Sequence, residues 1–153
     1  MKKILAIEDD AKIAAALRVR LTAAGYEVFT AGDGFTGLKM TMTHTPDLIL
    51  LDIMMPVGMG FSVAERLRDL GLGEIPIIFI TASKRAGLRK TAQQLGAAGF
   101  FEKPYDAEEL LAAIKLILNE TAPPVSNPAP NPSASATASA SNPTPPIPIR
   151  KQA

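Results

Sequence analysis

The sequence predicts an α/β fold, a parallel sheet of five strands with a helix after each, and two observations predict it. Short apolar runs alternate with longer segments of helical period through residues 1–120, the pattern of strands joined by crossover helices. Two of those runs, Leu48 to Leu51 and Ile77 to Ile80, contain no polar residue, so both faces of these strands are expected to lie under helices and the strands to be central.

Taken in order, the strands are expected at about Lys3 to Glu8, Tyr26 to Thr30, Asp47 to Asp52, Pro76 to Thr81 and Gly99 to Phe101. The first helix carries Ile13, Leu17 and Leu21 on one face and the third carries Val63, Leu67 and Leu70, the spacing of an amphipathic helix. The last opens with Asp106 and, three places on, Glu109, in the manner of a capping box. Leu110, Ile114 and Ile117 with Leu111 and Leu118 then form a wide apolar face. Gly25 and Gly96 stand where helices stop and the chain turns back to the sheet.

Composition changes near residue 121. Of the 13 prolines, only Pro46, Pro56, Pro76 and Pro104 precede it; the rest fall between Pro123 and Pro148 among Ser, Ala, Asn and Thr. From Ser133 to Ser141 the chain alternates Ser or Thr with Ala and offers no large side chain to offset the entropy of ordering the backbone. The expected organisation is one domain over residues 1–120 and a disordered Pro/Ser/Ala-rich tail over 121–153. Lys and Arg total 16 and Asp and Glu 15, interspersed and without the basic block that grips nucleic acid, so direct nucleic-acid binding is not expected. There is no cysteine, which removes disulfides, thiolate metal sites and a cysteine nucleophile and suits a cytoplasmic address. The apolar run after Lys3 ends at Glu8, too short for a signal peptide or a membrane span.

In open α/β sheets, ligands bind beyond the carboxyl ends of the strands. There the first strand ends in Glu8 and Asp9, the third in Asp52 and the fourth in Thr81, while Lys103 and Pro104 follow the fifth. Each residue alone has an ordinary structural use as a cap, a strand end or a solvated charge. Together they bring three acids, a hydroxyl and an amine to one edge. Carboxylates gathered in a cleft repel one another, and hard oxygen ligands without His or Cys favour Mg²⁺. Mg²⁺ commonly bridges one or two carboxylates to phosphate oxygens, so a site with Asp9 and Asp52 suits a phosphoryl group, with Lys103 as a second positive charge.

At this point the sequence resembles the response-regulator receiver domains of two-component signalling. The matching segments are Ile4-Leu-Ala-Ile-Glu8-Asp9-Asp10, Pro46-Asp-Leu-Ile-Leu-Leu-Asp52-Ile-Met-Met-Pro56, Ile77-Ile-Phe-Ile-Thr81-Ala82 and Gly99-Phe-Phe-Glu-Lys103-Pro104, covering about residues 2–119. The resemblance implies a flavodoxin-like (βα)₅ three-layer sandwich with strand order 2-1-3-4-5. It implies that Asp52 is the phosphoacceptor, charged by a histidine kinase or histidine phosphotransfer protein, in a switch and not an enzyme that turns over a separate substrate. Mg²⁺ would be held by Asp9, by Asp52, by the Met54 backbone carbonyl and, through a water, by Glu8. Thr81 and Lys103 would stabilise the phosphate, with Thr81 and Phe100 as the switch pair and a cis peptide before Pro104. The fourth helix, fifth strand and fifth helix would then present the readout face to a downstream protein. The residues two after the acceptor and two after the threonine, Met54 and Ser83, would flank the path of hydrolytic water. Neither gives it strong polar assistance, so slow loss of phosphate is expected.

The chain departs from the family in two places. Val57-Gly58-Met59-Gly60 lacks the acidic residue common before that glycine, which predicts a looser loop, and the first acidic pair is Glu-Asp instead of Asp-Asp. Neither removes a chemical role. Gly58-Met-Gly60-Phe-Ser-Val63 superficially matches a dinucleotide fingerprint but has Val63 at its third glycine position and three residues between strand and loop. A haloacid-dehalogenase-like phosphatase would need a second acid two residues after its nucleophile, where Asp9 has Ala11. The rival reading is a pseudo-receiver that acts as an interaction module without phosphorylation; it generally loses the acceptor, acid pair or lysine, all of which are kept. His44 reads as a surface residue, and Met54 and Met55 as packing. Lys84, Arg85, Arg89 and Lys90 would give the fourth helix a basic, solvated face suited also to an acidic partner.

Overall fold

The computed structural model describes residues 1–55 and 60–120. The expected tail and the expected looser loop at 57–59 lie outside the described residues. The chain divides into two units, Met1–Leu118 and Asn119–Ala153, and the architecture below is that of the first. Its elements run β1 (Lys3–Ile7), α1 (Ala11–Ala23), β2 (Glu27–Ala31), α2 (Gly34–His44), β3 (Leu48–Asp52), α3 (Gly60–Asp69), β4 (Ile77–Thr81), α4 (Leu88–Gln94), β5 (Gly99–Glu102) and α5 (Ala107–Ile117). All neighbouring strands are parallel, in the order β2-β1-β3-β4-β5.

Alternation along β1 and β3 feeds two separate cores. Leu5, Ile7, Ile49 and Leu51 join Phe79 in packing against Val63 and Leu67 of α3 and Leu88 and Ala92 of α4. Ile4, Ala6, Leu48 and Leu50, with Ile78 and Ile80, meet Leu17 and Leu21 of α1 and Leu110 and Ile114 of α5. A strand covered on both sides has no solvent face to mark with polar residues, which is why β3 reads as an unbroken apolar run.

Local signals set the helix ends. Asp10 caps α1 by accepting from the Lys12 and Ile13 N–H groups at 2.9 and 3.2 Å. Asp106 caps α5 through the Glu108 and Glu109 N–H groups at 2.7 and 3.2 Å. Gly25 and Gly96 follow α1 and α4 with φ of 100° and 80°, as the turn signals predict. α2 lies close on β1: a Cβ on Gly37 would sit 2.5 Å from the Ile7 Cδ1.

Two packing expectations are corrected. Leu70 is exposed and lies beyond α3, because the helix ends at Asp69 and the chain reverses at Gly71. Leu72, whose N–H reaches the Leu67 carbonyl at 2.8 Å, packs against the core in its place. Lys84 and Arg85 belong to the connection before α4, whose N-cap is Gly87, so only Arg89 and Lys90 of the four basic residues are on the helix.

Candidate functional site

The parallel topology delivers every expected chemical side chain to one edge. Glu8 follows β1, Asp52 ends β3 and Thr81 ends β4. Lys103 follows β5, and its N–H donates to the Thr81 carbonyl at 2.7 Å. Thr81 is fully buried, and Glu8 and Asp52 are each 5% exposed, which is unusual for carboxylates unless they are paired.

The pairing is visible. One carboxylate oxygen from each of Glu8, Asp9 and Asp52 lies within 4.8 Å of the other two. Lys103 Nζ donates to Glu8 Oε1 at 2.8 Å and to Asp52 Oδ2 at 3.4 Å. Backbone donors take further lone pairs: the Asp10 N–H reaches Glu8 Oε2 at 3.2 Å and the Met54 N–H reaches Asp52 Oδ1 at 3.1 Å. Asp10, the third acid of the run, is committed to its helix cap. Thr81 Oγ1 accepts from the Ser83 N–H at 3.0 Å, and the Lys103–Pro104 peptide is cis, as the resemblance implied.

Burial pushes the Glu8 carboxyl above the usual carboxylate range, against the opposing pull of Lys103 and the Asp10 N–H. Burial also works to lower Lys103, but its hydrogen bond to Glu8 and the charges of Asp52 and Glu8 outweigh it, and the ammonium is held above its ordinary value. When ionised, three carboxylates face one ammonium, leaving about two negative charges uncompensated. A hard-oxygen donor set with that excess fits a divalent cation such as Mg²⁺.

The profile of the response regulator receiver domain family matches residues 4–115. This chain belongs to the response-regulator receiver family. It is 44% identical over 114 residues to the transcriptional regulatory protein DltR of Streptococcus agalactiae, spanning 74% of this chain and 50% of that protein. It is 38% identical over 122 residues to the DNA-binding dual master transcriptional regulator RpaA of Synechocystis, spanning 79% and 51%. The chain thus spans about half the length of the curated relatives it matches. Among solved structures, chemotaxis protein CheY4 of Vibrio cholerae superposes with a TM-score of 0.71 at 31% identity, over 76% of this chain and 98% of that one.

The geometry adds a residue that sequence reasoning missed. A Cβ on Gly60 would stand 2.5 Å from the Asp52 carbonyl oxygen and 3.0 Å from the Ile53 Cα, while the Gly60 N–H donates to the Ile53 carbonyl at 2.8 Å. The start of α3 therefore rests directly on the backbone of the strand end bearing Asp52. By sequence this glycine belongs to a dinucleotide-like pattern; its use in the receiver is close approach.

Proposed function

We propose that the receiver accepts a phosphoryl group on Asp52 and converts it into a change of its α4–β5–α5 surface. The observation that carries the reading is the placement of the Asp52 carboxylate, nearly buried among Glu8 and Asp9 and 3.4 Å from the Lys103 ammonium. In the transfer, an Asp52 oxygen forms its bond to phosphorus as the bond to the donor's leaving atom breaks, and that electron pair leaves with the donor. The expected donor is a histidine kinase or histidine phosphotransfer protein.

Mg²⁺ would be held by Asp9, Asp52 and the Met54 carbonyl, with Glu8 acting through a water, and would neutralise charge on the transferring phosphoryl oxygens. Lys103 offsets the same charge from the other side. Thr81 supplies a hydroxyl to the new phosphate, and its movement is passed to Phe100 on β5. The receiver is read as a cytoplasmic switch that works by protein contact and does not itself grip nucleic acid. No helix of the described residues is long and apolar enough to cross a membrane.

Acetyl phosphate with Mg²⁺ is expected to add one phosphoryl group, seen by intact-mass spectrometry. Chelation and Asp52→Asn should each abolish it. Labelling that persists in Asp52→Asn overturns the assignment, and a wild-type chain that takes no label favours the pseudo-receiver reading.

A further inference from the structure

Phe100 is half-buried against the core beneath α3 and α4, and the Arg89 guanidinium lies over its ring, 4.6 Å from the centroid. That is within the distance at which a cation is attracted to an aromatic face. Arg89 is the second residue of α4, a helix of seven residues that buries only Leu88 and Ala92 and whose N-cap, Gly87, makes no side-chain capping bond. So short a helix cannot hold itself in place, and a contact at its first turn carries weight that it would not carry on a longer one. The connection leading into α4 is fastened to the same strand: Lys84 Nζ reaches Glu102 Oε1 at 3.1 Å and the Lys103 carbonyl at 3.4 Å. Lys84 and Glu102 are both well exposed, 66% and 43%, so screening leaves that bridge little strength. The Arg89–Phe100 contact is the fastening that a residue of α4 itself makes to β5.

We propose that Arg89 is a latch on Phe100: stacked on the ring, it holds the ring and the first turn of α4 in the unphosphorylated arrangement and so sets how readily the receiver switches. The inference rests on the reading of Asp52 as phosphoacceptor and Phe100 as its switch, and it adds the residue that tunes them. A contact made in only one of two states biases the equilibrium by its own strength, and a ligand selective for the other state then binds more weakly by the same factor. An exposed cation–aromatic pair corresponds to about 2- to 5-fold. Arg89 touches neither Asp52 nor its surrounding acids, so it acts as a positioning residue.

The test is calorimetric titration of the full chain with beryllofluoride in the presence of Mg²⁺, for wild type, Arg89→Ala, Arg89→Lys, Phe100→Leu and the Arg89→Ala/Phe100→Leu double variant. Arg89→Ala should bind about 2- to 5-fold more tightly and Arg89→Lys should fall between, since an ammonium stacks less well than a guanidinium. In the Phe100→Leu background, Arg89→Ala should change nothing. A merely structural role would lower the melting temperature without tightening the binding of beryllofluoride. The ring resonances of Phe100, read by NMR without beryllofluoride, should shift in Arg89→Ala. Resonances that stay put, or a variant that binds beryllofluoride no better than wild type, overturn the latch. Wild type that fails to bind beryllofluoride overturns the phosphoacceptor reading instead, and the NMR arm still decides the contact.

Discussion

β3 and β5 carry residues expected to serve one switch, yet they are held in different ways. Every residue of β3 is buried, and its apolar side chains are divided between the two cores. β5 is an edge strand of four residues, three half-buried and Glu102 exposed, covered in part by the short α4, fastened to that helix by a ring contact and to the connection before it by a surface ion pair. The proposed acceptor therefore sits on the part of the sheet that resists displacement, and the proposed reporter on the part that yields. A strand buried on both faces moves only if the packing on both sides gives way at once, whereas an edge held by single side chains can change state for little free energy.

The comparison can be broken most severely from the core side. Leu50→Ala, on the central strand, should cost about 2–5 kcal/mol, against a smaller loss for Phe101→Ala on β5; urea denaturation of both variants measures this, and equal losses would show the edge to be as firmly held as the centre. Gly60→Ala should cost about 1–3 kcal/mol, because backbone atoms stand where the Cβ must go. It should also slow phosphorylation by acetyl phosphate, since the displaced atoms include the Asp52 carbonyl. A variant with normal melting temperature and labelling rate would show that α3 can shift freely. Met54→Asn should speed loss of phosphate after donor removal roughly several-fold without preventing its formation. Met54 is 37% exposed and its side chain has no group to orient water, and the Ser83 hydroxyl already accepts the Arg85 N–H at 3.1 Å; unchanged decay of phospho-Asp52 would remove this position from control of hydrolysis. Smallest of all, Lys84→Ala should alter stability by about 1 kcal/mol or less, and a larger drop in denaturation would make that ion pair a true fastener of the edge.

The same contrast governs what could be read from the residues. β3 and β4 were legible as unbroken apolar runs because burial on both faces writes itself into composition, and Glu8, Asp52 and Thr81 were legible because strand ends in a parallel sheet share one edge. Packing between distant segments leaves no such periodic trace. Nothing in the spacing of Arg89 and Phe100 announces a stacked pair. Leu70 fits the apolar stripe of α3, yet the reversal at Gly71 lets Leu72 take the core position. Lys84 and Arg85 continue a basic run into α4 by sequence, but the helix starts only after Gly87.

Gly37 and Gly60 have a consequence for any survey of substitutions. Gly37 allows α2 to rest on Ile7, the residue before Glu8, and Gly60 allows α3 to rest on Asp52 itself. Scored only by loss of phosphorylation, both positions should rank beside the acids and the lysine although neither has a side chain to contribute. A map of intolerance in this receiver would thus trace two different things: atoms that react, and empty volumes that let those atoms stand where they do.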